Sequence, residues 1–180
     1  ILATNLLPAP LTSSLSSSVY LATLTTDFDS DGLPDLWEIQ HSLNYLDPSG
    51  QNGPLGDLSH NGIPNLLKYA FNLDPLSPSL TGLPITSIEV NPLDSLRYLT
   101  LRYRRLLAPG SLQYLIQTSP DLQSWSSNPL HFEELPSPTL NPDLLTETVT
   151  IRLQPSLDSP SATSRFLRIQ VIAPPPPTSP

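Results

Sequence analysis

Alternation of apolar and polar residues is the main pattern in the second half of the chain. Val149, Ile151 and Leu153 alternate with polar residues, and Leu167 and Ile169 repeat the same spacing. A period of two is typical of strands that bury one face. We predict six strands, over residues 85–90, 96–104, 112–118, 131–135, 146–153 and 166–172. Short strands joined by Pro, Ser, Asp and Gly predict a mainly β fold, with an immunoglobulin-like antiparallel sandwich over residues 84–173.

A separate β-like stretch lies near the start of the chain. A Pro/Ser-rich lead ends in a β-branched and aromatic run that contains Val19, Tyr20, Leu21 and Leu24. We therefore predict an N-terminal tail and strand over residues 1–26. Six strands are one fewer than in a common immunoglobulin-type sandwich, so the sandwich has an open edge. The N-terminal strand is the strand that could fill it. It either folds back within its own chain or completes a neighbouring copy, which would produce a polymer.

Residues 27–76 contain an internal repeat in which alternation gives way to short helical patterns. Gly32 and Gly62 lie 30 residues apart (62 − 32 = 30), and each belongs to a polar loop followed by a hydrophobic residue and a proline. Proline is well tolerated in the first turn of a helix, where its missing N–H is not needed. The pattern predicts two short helices, over residues 34–43 and 64–72, in a small unit ahead of the sandwich.

The first loop of the repeat has the ligand pattern of an EF-hand-type calcium loop. That pattern has oxygen ligands at alternating positions, a glycine at the turn and a bidentate carboxylate at the twelfth position. The predicted ligands are the Leu33 carbonyl oxygen and the side chains of Asp27, Asp29, Asp31, Asp35 and Glu38. The alternative is a solvated acidic turn that caps the next helix. Capping does not require the glycine, the alternation and the terminal glutamate together, so we predict a calcium site.

The second loop keeps the outline of the first and changes its ligands. A metal ion there would meet Asp57, Ser59, Asn61, the Ile63 carbonyl oxygen and Asn65. Lys68 stands where the bidentate glutamate is needed. The sequence leaves two interpretations open. Loop two binds a second calcium ion, or it is a metal-free copy in which the lysine ammonium takes the place of the ion.

The two units resemble the thrombospondin type 3-like and dockerin-like calcium repeats of bacterial surface proteins. The resemblance rests on the sequence DFDSDGLPDLWE and its echo NGIPNLLKYA, followed by a sandwich with an Asp-Leu-x-x-Trp turn. It covers residues 27–75 closely and 76–173 loosely. It implies an extracellular location, rigidity that depends on calcium, and no catalysis. One departure from an EF-hand is that a predicted strand, and not an entering helix, precedes Asp27.

Composition narrows the function classes. The net charge is −8, from 16 acidic and 8 basic residues, and nucleic-acid binding needs a basic surface that this sequence does not suggest. No run approaches the ~18 apolar residues of a membrane span. The chain contains no cysteine and no methionine, so Ile1 is either a processed N-terminus, most simply after removal of a secretory signal peptide, or the start of a fragment. A polyproline tail over residues 174–180 completes the predicted division into 1–26, 27–76, 84–173 and 174–180.

The sequence offers no recognisable catalytic motif. Its histidines are far apart and have no patterned partner: His41, His60 and His131. Four aromatic residues are either core residues or an exposed platform for a glycan: Tyr98, Tyr103, Tyr114 and Trp125. Trp125 is further predicted to close the core. We predict a calcium-stabilised structural subunit of the cell surface that self-associates into a fibre or layer. The alternative is a carbohydrate- or protein-binding module of a larger secreted protein.

Overall fold

The computed structural model describes residues 26–110, 112–162 and 166–173. The predicted N-terminal strand and the polyproline tail lie outside these residues, so both stay predictions. Within them the fold is mainly β, with antiparallel sheets and few helices, as predicted. The same residues contain no helix that combines the length and the apolar character needed to cross a membrane.

Two short helices and seven strands make up the described fold. The helices are α1 (Asp35–Gln40) and α2 (Asn65–Ala70), and a 3-10 turn spans Pro129–His131. The strands are β1 (Ile85–Val90), β2 (Arg97–Leu106), β3 (Gln113–Ser119), β4 (Phe132–Glu134), β5 (Thr139–Leu140), β6 (Thr146–Leu153) and β7 (Phe166–Ile172). The six predicted strands are all present, with ends that differ by one or two residues.

The strands form two antiparallel sheets. The larger sheet has the order β1-β2-β6-β4, and β5 also pairs with β6. Phe132 of β4 lies opposite Leu153, and Thr139 of β5 lies opposite Thr148, so β4 and β5 share one edge of β6 as an interrupted strand. The smaller sheet contains β3 and β7, with Ile116 opposite Ile169.

The core lies between the two sheets. Leu101, Tyr103, Val149 and Ile151 of the larger sheet are at most 5% exposed. Half-buried side chains of β3 and β7 pack against them: Tyr114, Ile116, Leu167, Ile169 and Val171. Alternate residues on β6 and β7 therefore face the same core, which is the arrangement that their period of two predicts.

Helix α2 joins the repeat unit to the sandwich. Its Leu67 and the following Phe71 pack into the core between the sheets, and Phe71 is 1% exposed. Its Leu66 and Tyr69 pack on the other side, against a cluster formed by Leu33, Trp37 and Leu43. This cluster, called here the loop-one cluster, contains buried side chains of the first repeat.

Three details of the sequence interpretation are wrong. Both helices are shorter than predicted and begin after Pro34 and Pro64, which precede the first turn in extended conformation. Strand β5 was not predicted, since two residues are too few for a periodic signal. Trp125 does not close the core: it is half-buried, and the guanidinium of Arg168 lies 3.9 Å from the centroid of its ring.

Candidate metal centre

The backbone of loop one is held by its own carboxylates. The Gly32 N–H donates to Asp27 Oδ2 over 2.9 Å, and the Leu33 N–H donates to Asp31 Oδ1 over 2.8 Å. Gly32 has a φ of 95°, a conformation that costs glycine little and other residues more. These bonds fold the loop tightly enough to bring carboxylate oxygens of Asp27, Asp29 and Asp31 within 4.8 Å of one another.

Glu38 reaches this loop from the first turn of α1. Its residue is 0% exposed, and neither of its carboxylate oxygens has a hydrogen-bond partner. Asp29 Oδ2 and Asp31 Oδ2 are also buried without a partner. A buried charged oxygen without a partner is costly, and native structures rarely contain one without an ion, a water molecule or a functional reason. Four such oxygens lie in or beside this loop, so these residues could hold a cation.

The pKa values of these carboxyl groups are also raised by burial and by one another's charges. The pKa of Glu38 is raised to about 8, mainly by burial and to a smaller extent by the negative charges of Asp31, Asp29, Asp35 and Asp27. Burial and neighbouring aspartates likewise raise the pKa of Asp31 to about 6, against the hydrogen bond from the Leu33 N–H. The cation-free loop therefore favours protonation of groups that a divalent ion would hold ionised.

Asp35 differs in role from the other predicted ligands. Its Oδ1 accepts a hydrogen bond of 2.8 Å from the Phe28 N–H, and its own N–H donates to the Thr26 carbonyl oxygen over 2.8 Å. These two bonds close the loop from the opposite side. Asp35 Oδ2 takes part in neither of these two bonds, so the side chain can hold the loop and still offer an oxygen to an ion.

Loop two repeats this backbone closely. The Gly62 N–H donates to Asp57 Oδ2 over 2.7 Å, and the Ile63 N–H donates to Asn61 Oδ1 over 3.0 Å. The Asn65 N–H donates to the Gly56 carbonyl oxygen over 2.8 Å, as the equivalent bond does in loop one. Each bond has its counterpart 30 residues earlier, so the two loops share one conformation.

Lys68 makes the difference between the two loops. Its side chain is 1% exposed, and its Nζ lies 2.9 Å from Asp57 Oδ1, 2.6 Å from Ser59 Oγ and 3.3 Å from the Pro75 carbonyl oxygen. A hydrogen bond from this ammonium is the main reason that the pKa of Asp57 falls to about 2. A cation carried by the protein therefore contacts oxygens of two of the residues predicted as metal ligands.

The amide side chains of loop two donate hydrogen bonds outside the loop through Nδ2, whereas Asn65 Oδ1 is buried without a partner. Asn65 is fully buried, and its Nδ2 donates to the carbonyl oxygens of Gln51 and Gly53 over 2.9 and 3.0 Å. Asn61 Nδ2 lies 3.4 Å from the Ser77 carbonyl oxygen. The contact of Lys68 with Pro75 was not apparent from the sequence, because Pro75 lies beyond the loop motif.

The remaining candidate residues divide between core and surface. Tyr98 and Tyr103 are 7% and 4% exposed, and Tyr114 packs in the core, so these three do not form an exposed platform. Trp125 is the exception and lies under Arg168. His41 Nδ1 lies 2.7 Å from the Trp37 carbonyl oxygen, a contact within the end of α1.

No family model, curated protein or solved structure matches this chain. The resemblance to calcium repeats therefore stays a prediction that rests on the residues quoted for it.

Proposed function

We propose that this chain is an extracellular structural module whose first loop binds one calcium ion and is made rigid by it. The observation that carries the proposal is Glu38: its carboxylate is fully buried, has no partner and faces four aspartates. Folding a glutamate into this position is unfavourable unless a cation compensates for its charge. A bound cation would hold this carboxylate ionised, whereas the cation-free loop favours its protonation.

Calcium is the cation that the donor set favours. All of the predicted ligands in loop one are oxygens, and the chain has no cysteine. Calcium accepts six to eight oxygens in flexible geometry, whereas magnesium demands a smaller octahedral site and retains several water molecules. Extracellular modules of this type bind calcium with dissociation constants of ~10⁻⁴–10⁻³ M. That range suits a structural ion outside the cell.

Loop two supports a stoichiometry of one ion per chain. The ammonium of Lys68 already contacts Asp57 and Ser59, and a divalent ion at the same point would meet strong repulsion. Loop two is then a structural copy in which the lysine ammonium takes the place of the ion, with Asn65 Oδ1 left buried and unpaired. In this proposal, loop two is held by the ammonium of Lys68, and loop one is held by a calcium ion.

A structural role follows from where the ion would act. The loop-one cluster packs on α2, and α2 packs into the sandwich, so the ion fixes the first repeat against the rest of the protein. We further infer that the sandwich is immunoglobulin-like. The orders β1-β2-β6-β4 and β3-β7 correspond to the A-B-E-D and C-F arrangements of that fold. A non-catalytic subunit of a surface assembly is the function that these features support best.

Thermal unfolding with and without calcium tests the proposal. At a calcium concentration 100 times the dissociation constant, the free energy of unfolding should rise by about 2.7 kcal/mol. Glu38→Gln should abolish most of this gain, because it replaces a bidentate carboxylate by a neutral amide. The calcium-free variant should be at least as stable as the calcium-free wild type, since it no longer buries an unpaired acid.

Glu89→Gln is the matched control, because Glu89 is exposed on β1 and belongs to neither loop. It should keep the full calcium gain. A melting temperature that does not respond to calcium in the wild type would contradict the proposal, as would an equal response in Glu38→Gln.

One feature favours the second candidate function, a carbohydrate-binding module. A cleft of 570 Å³ lies on the outer face of the larger sheet, and its lining includes Arg102, Arg104, Thr148 and Thr150 and no acidic residue. Neither guanidinium forms an ion pair with a described carboxylate. In an acidic protein, two unpaired arginines beside threonine hydroxyls suit an acidic oligosaccharide.

Titration with an oligogalacturonate, with maltotriose as the neutral comparison, tests this candidate. The double variant Arg102→Gln/Arg104→Gln should lose binding of the acidic probe. Arg97→Gln/Arg168→Gln removes the same charge outside the cleft lining and should retain it. Equal weakening in both double variants would show that only the overall charge matters, and the candidate would fail.

A further inference from the structure

The smaller sheet has an open edge along β7. One edge of β7 pairs with β3 over seven residues, and its other edge pairs with no strand among residues 26–110, 112–162 and 166–173. In the immunoglobulin-like arrangement inferred above, this is the position of the seventh strand, G, beside strand F. Strands β4 and β5 do not fill it, because together they occupy the D position beside β6.

Burial in the core is unequal in the way that a missing strand predicts. The inward residues of β6 are closed off from solvent: Val149, Ile151 and Leu153 are 0%, 5% and 2% exposed. Leu167, Ile169 and Val171 of β7 face the same core and are only half-buried. The inward face of β7 is therefore only partly covered, by β3, the larger sheet and α2.

The chain that directly follows β7 cannot supply the rest of this cover. Residues 174–177 are four consecutive prolines. Proline has no N–H to donate to a neighbouring strand, so this segment cannot turn back and pair beside β7.

We propose that residues 19–25 of a second copy of this chain pair with the open edge of β7 and complete its sandwich. This segment contains Val19, Tyr20, Leu21 and Leu24, and it has the β-branched, aromatic and apolar composition of a strand. Strand addition to an open edge gives affinity through main-chain hydrogen bonds and specificity through alternate side chains. Apolar side chains on one face of the added strand would cover Leu167, Ile169 and Val171.

The position of loop one argues for a second copy over the same chain. The Thr26 carbonyl oxygen accepts a hydrogen bond from the Asp35 N–H, so the first described residue lies at loop one. Among the described residues, the hydrophobic side chains that pack against the loop-one cluster are Leu58, Leu66 and Tyr69, all of the second repeat. A helix with its side chains is about 10 Å across, and crossing α2 to reach the sheet takes about three extended residues.

Residues 19–25 number seven (25 − 19 + 1 = 7). A crossing within one chain would leave about four of them for pairing, whereas a separate chain can present all seven. A contact that joins the front of one copy to the sandwich of the next is head-to-tail, and it produces an open filament unless its rotation closes a ring. The inference rests on the proposed structural function and names its partner, a second copy.

Disulfide trapping in the full chain tests the contact, because the chain has no cysteine of its own. One variant carries Leu21→Cys and a second carries Gln170→Cys, whose side chain is exposed on β7. Mixing the two under oxidising conditions with calcium should give a cross-linked pair that contains one chain of each. A parallel set with Tyr20→Cys covers the other face of the added strand.

Glu89→Cys is the matched acceptor control, since β1 forms the edge of the larger sheet and Glu89 is exposed. It should cross-link far less with Leu21→Cys than Gln170→Cys does. Leu21→Pro in the full chain should also reduce self-association, whereas Ser16→Pro in the lead should not. Equal cross-linking at Glu89 would overturn the inference. A wild type that stays strictly monomeric at high concentration with calcium would also overturn it. The same holds if the double variant Leu21→Cys/Gln170→Cys forms its disulfide only within one chain. Calcium stabilisation, measured separately, shows whether the proposed function survives such a result.

Discussion

Glu38 and Lys68 occupy the same position in two loops with the same backbone and carry opposite charges. Both side chains are buried, and both point at the oxygens of their loop. In loop two the ammonium contacts Asp57 and Ser59 directly. In loop one the carboxylate has nothing positive to meet among the described residues. The exchange of Glu38 for Lys68 is therefore the difference that gives loop two its own cation, and calcium is the cation that we propose for loop one.

Exchanging this residue should convert loop two into a calcium loop. Lys68→Glu removes the internal cation and introduces the missing bidentate carboxylate beside Asp57, Asn61 and the Ile63 carbonyl oxygen. Calorimetric titration should then find two calcium ions per chain where the wild type binds one. The new site should be the weaker one, since Ser59 and Asn61 provide neutral oxygens in place of aspartates.

Lys68→Met is the comparison that isolates the charge, because methionine keeps the length of the side chain. It should still bind one calcium ion and should melt at a lower temperature than the wild type, with calcium or without, since Asp57 loses its main partner. If Lys68→Glu also binds only one calcium ion, the idea that Lys68 takes the place of a calcium ion in loop two is wrong.

At this scale the sequence predicted that the carboxylates of Asp27, Asp29 and Asp31 lie together, because their spacing is a property of a local turn; that they bind calcium stays a prediction. It also identified Lys68 as the departure from the pattern. It did not predict the contact of Lys68 with the Pro75 carbonyl oxygen or the complete burial of Glu38. Both depend on how the repeats pack on each other and on the chain that follows, and a local motif contains neither.

Among the elements, α2 is the one that contacts both the first repeat and the sandwich. It packs on the loop-one cluster with one face and on the sandwich with the other, and Tyr114 Oη donates to the Ala70 carbonyl oxygen over 2.6 Å. Just past its end, Asn72 Nδ2 donates to Asp143 Oδ2 over 3.1 Å. Asp143 also accepts from the N–H and the hydroxyl of Thr146, at the start of β6. The carboxylate thus links the repeat unit to the larger sheet.

Asp143 should make part of the stability sensitive to acid. Burial raises its pKa, but the hydrogen bonds from Thr146, Leu145 and Asn72 outweigh burial and lower it to about 2. A carboxyl whose pKa is lower in the folded state stabilises the protein above its unfolded pKa of about 3.9. That contribution is lost as the pH falls through the folded value.

Asp143→Asn should therefore cost about 1–2 kcal/mol at neutral pH and should flatten the loss of stability between about pH 4 and pH 2. Urea unfolding across this range measures both effects. An unchanged acid profile in Asp143→Asn would show that other carboxylates account for the whole of it.

The sequence predicted which helices and strands exist better than it predicted where the helices end. Strands β2, β6 and β7 were found from alternation because each buries one face over seven or more residues. The helices were predicted too long because their last turns are unwound. Ser42 and Asn72 adopt positive φ values of 61° and 50°, which end the helices early without a glycine to signal it. Trp125 was misassigned because a turn motif does not reveal the arginine that stacks on its ring from another strand.

For the whole molecule, the contacts form one path from the candidate calcium site to the sandwich. The Trp37 ring lies 5.6 Å from the Tyr69 ring, and Phe71 lies 6.3 Å from Tyr114, centroid to centroid. The described residues provide this path through side-chain packing on both faces of α2. Calcium at loop one would therefore act on the sandwich through this path of packed side chains.

Removing calcium should loosen the protein unevenly, and hydrogen exchange should reveal it. Amides of residues 27–43 should lose protection in chelator, because Glu38 and the aspartates then repel one another with no ion between them. Amides of residues 57–73 should keep most of theirs, since Lys68 stays in place, and amides of the sandwich should change least. Small-angle scattering of the same sample should show a larger radius of gyration, with the first repeat released from α2. Equal loss of protection in both loops would mean that Lys68 does not hold loop two by itself. An unchanged profile and an unchanged radius would mean that calcium does not stiffen the protein, even if it binds.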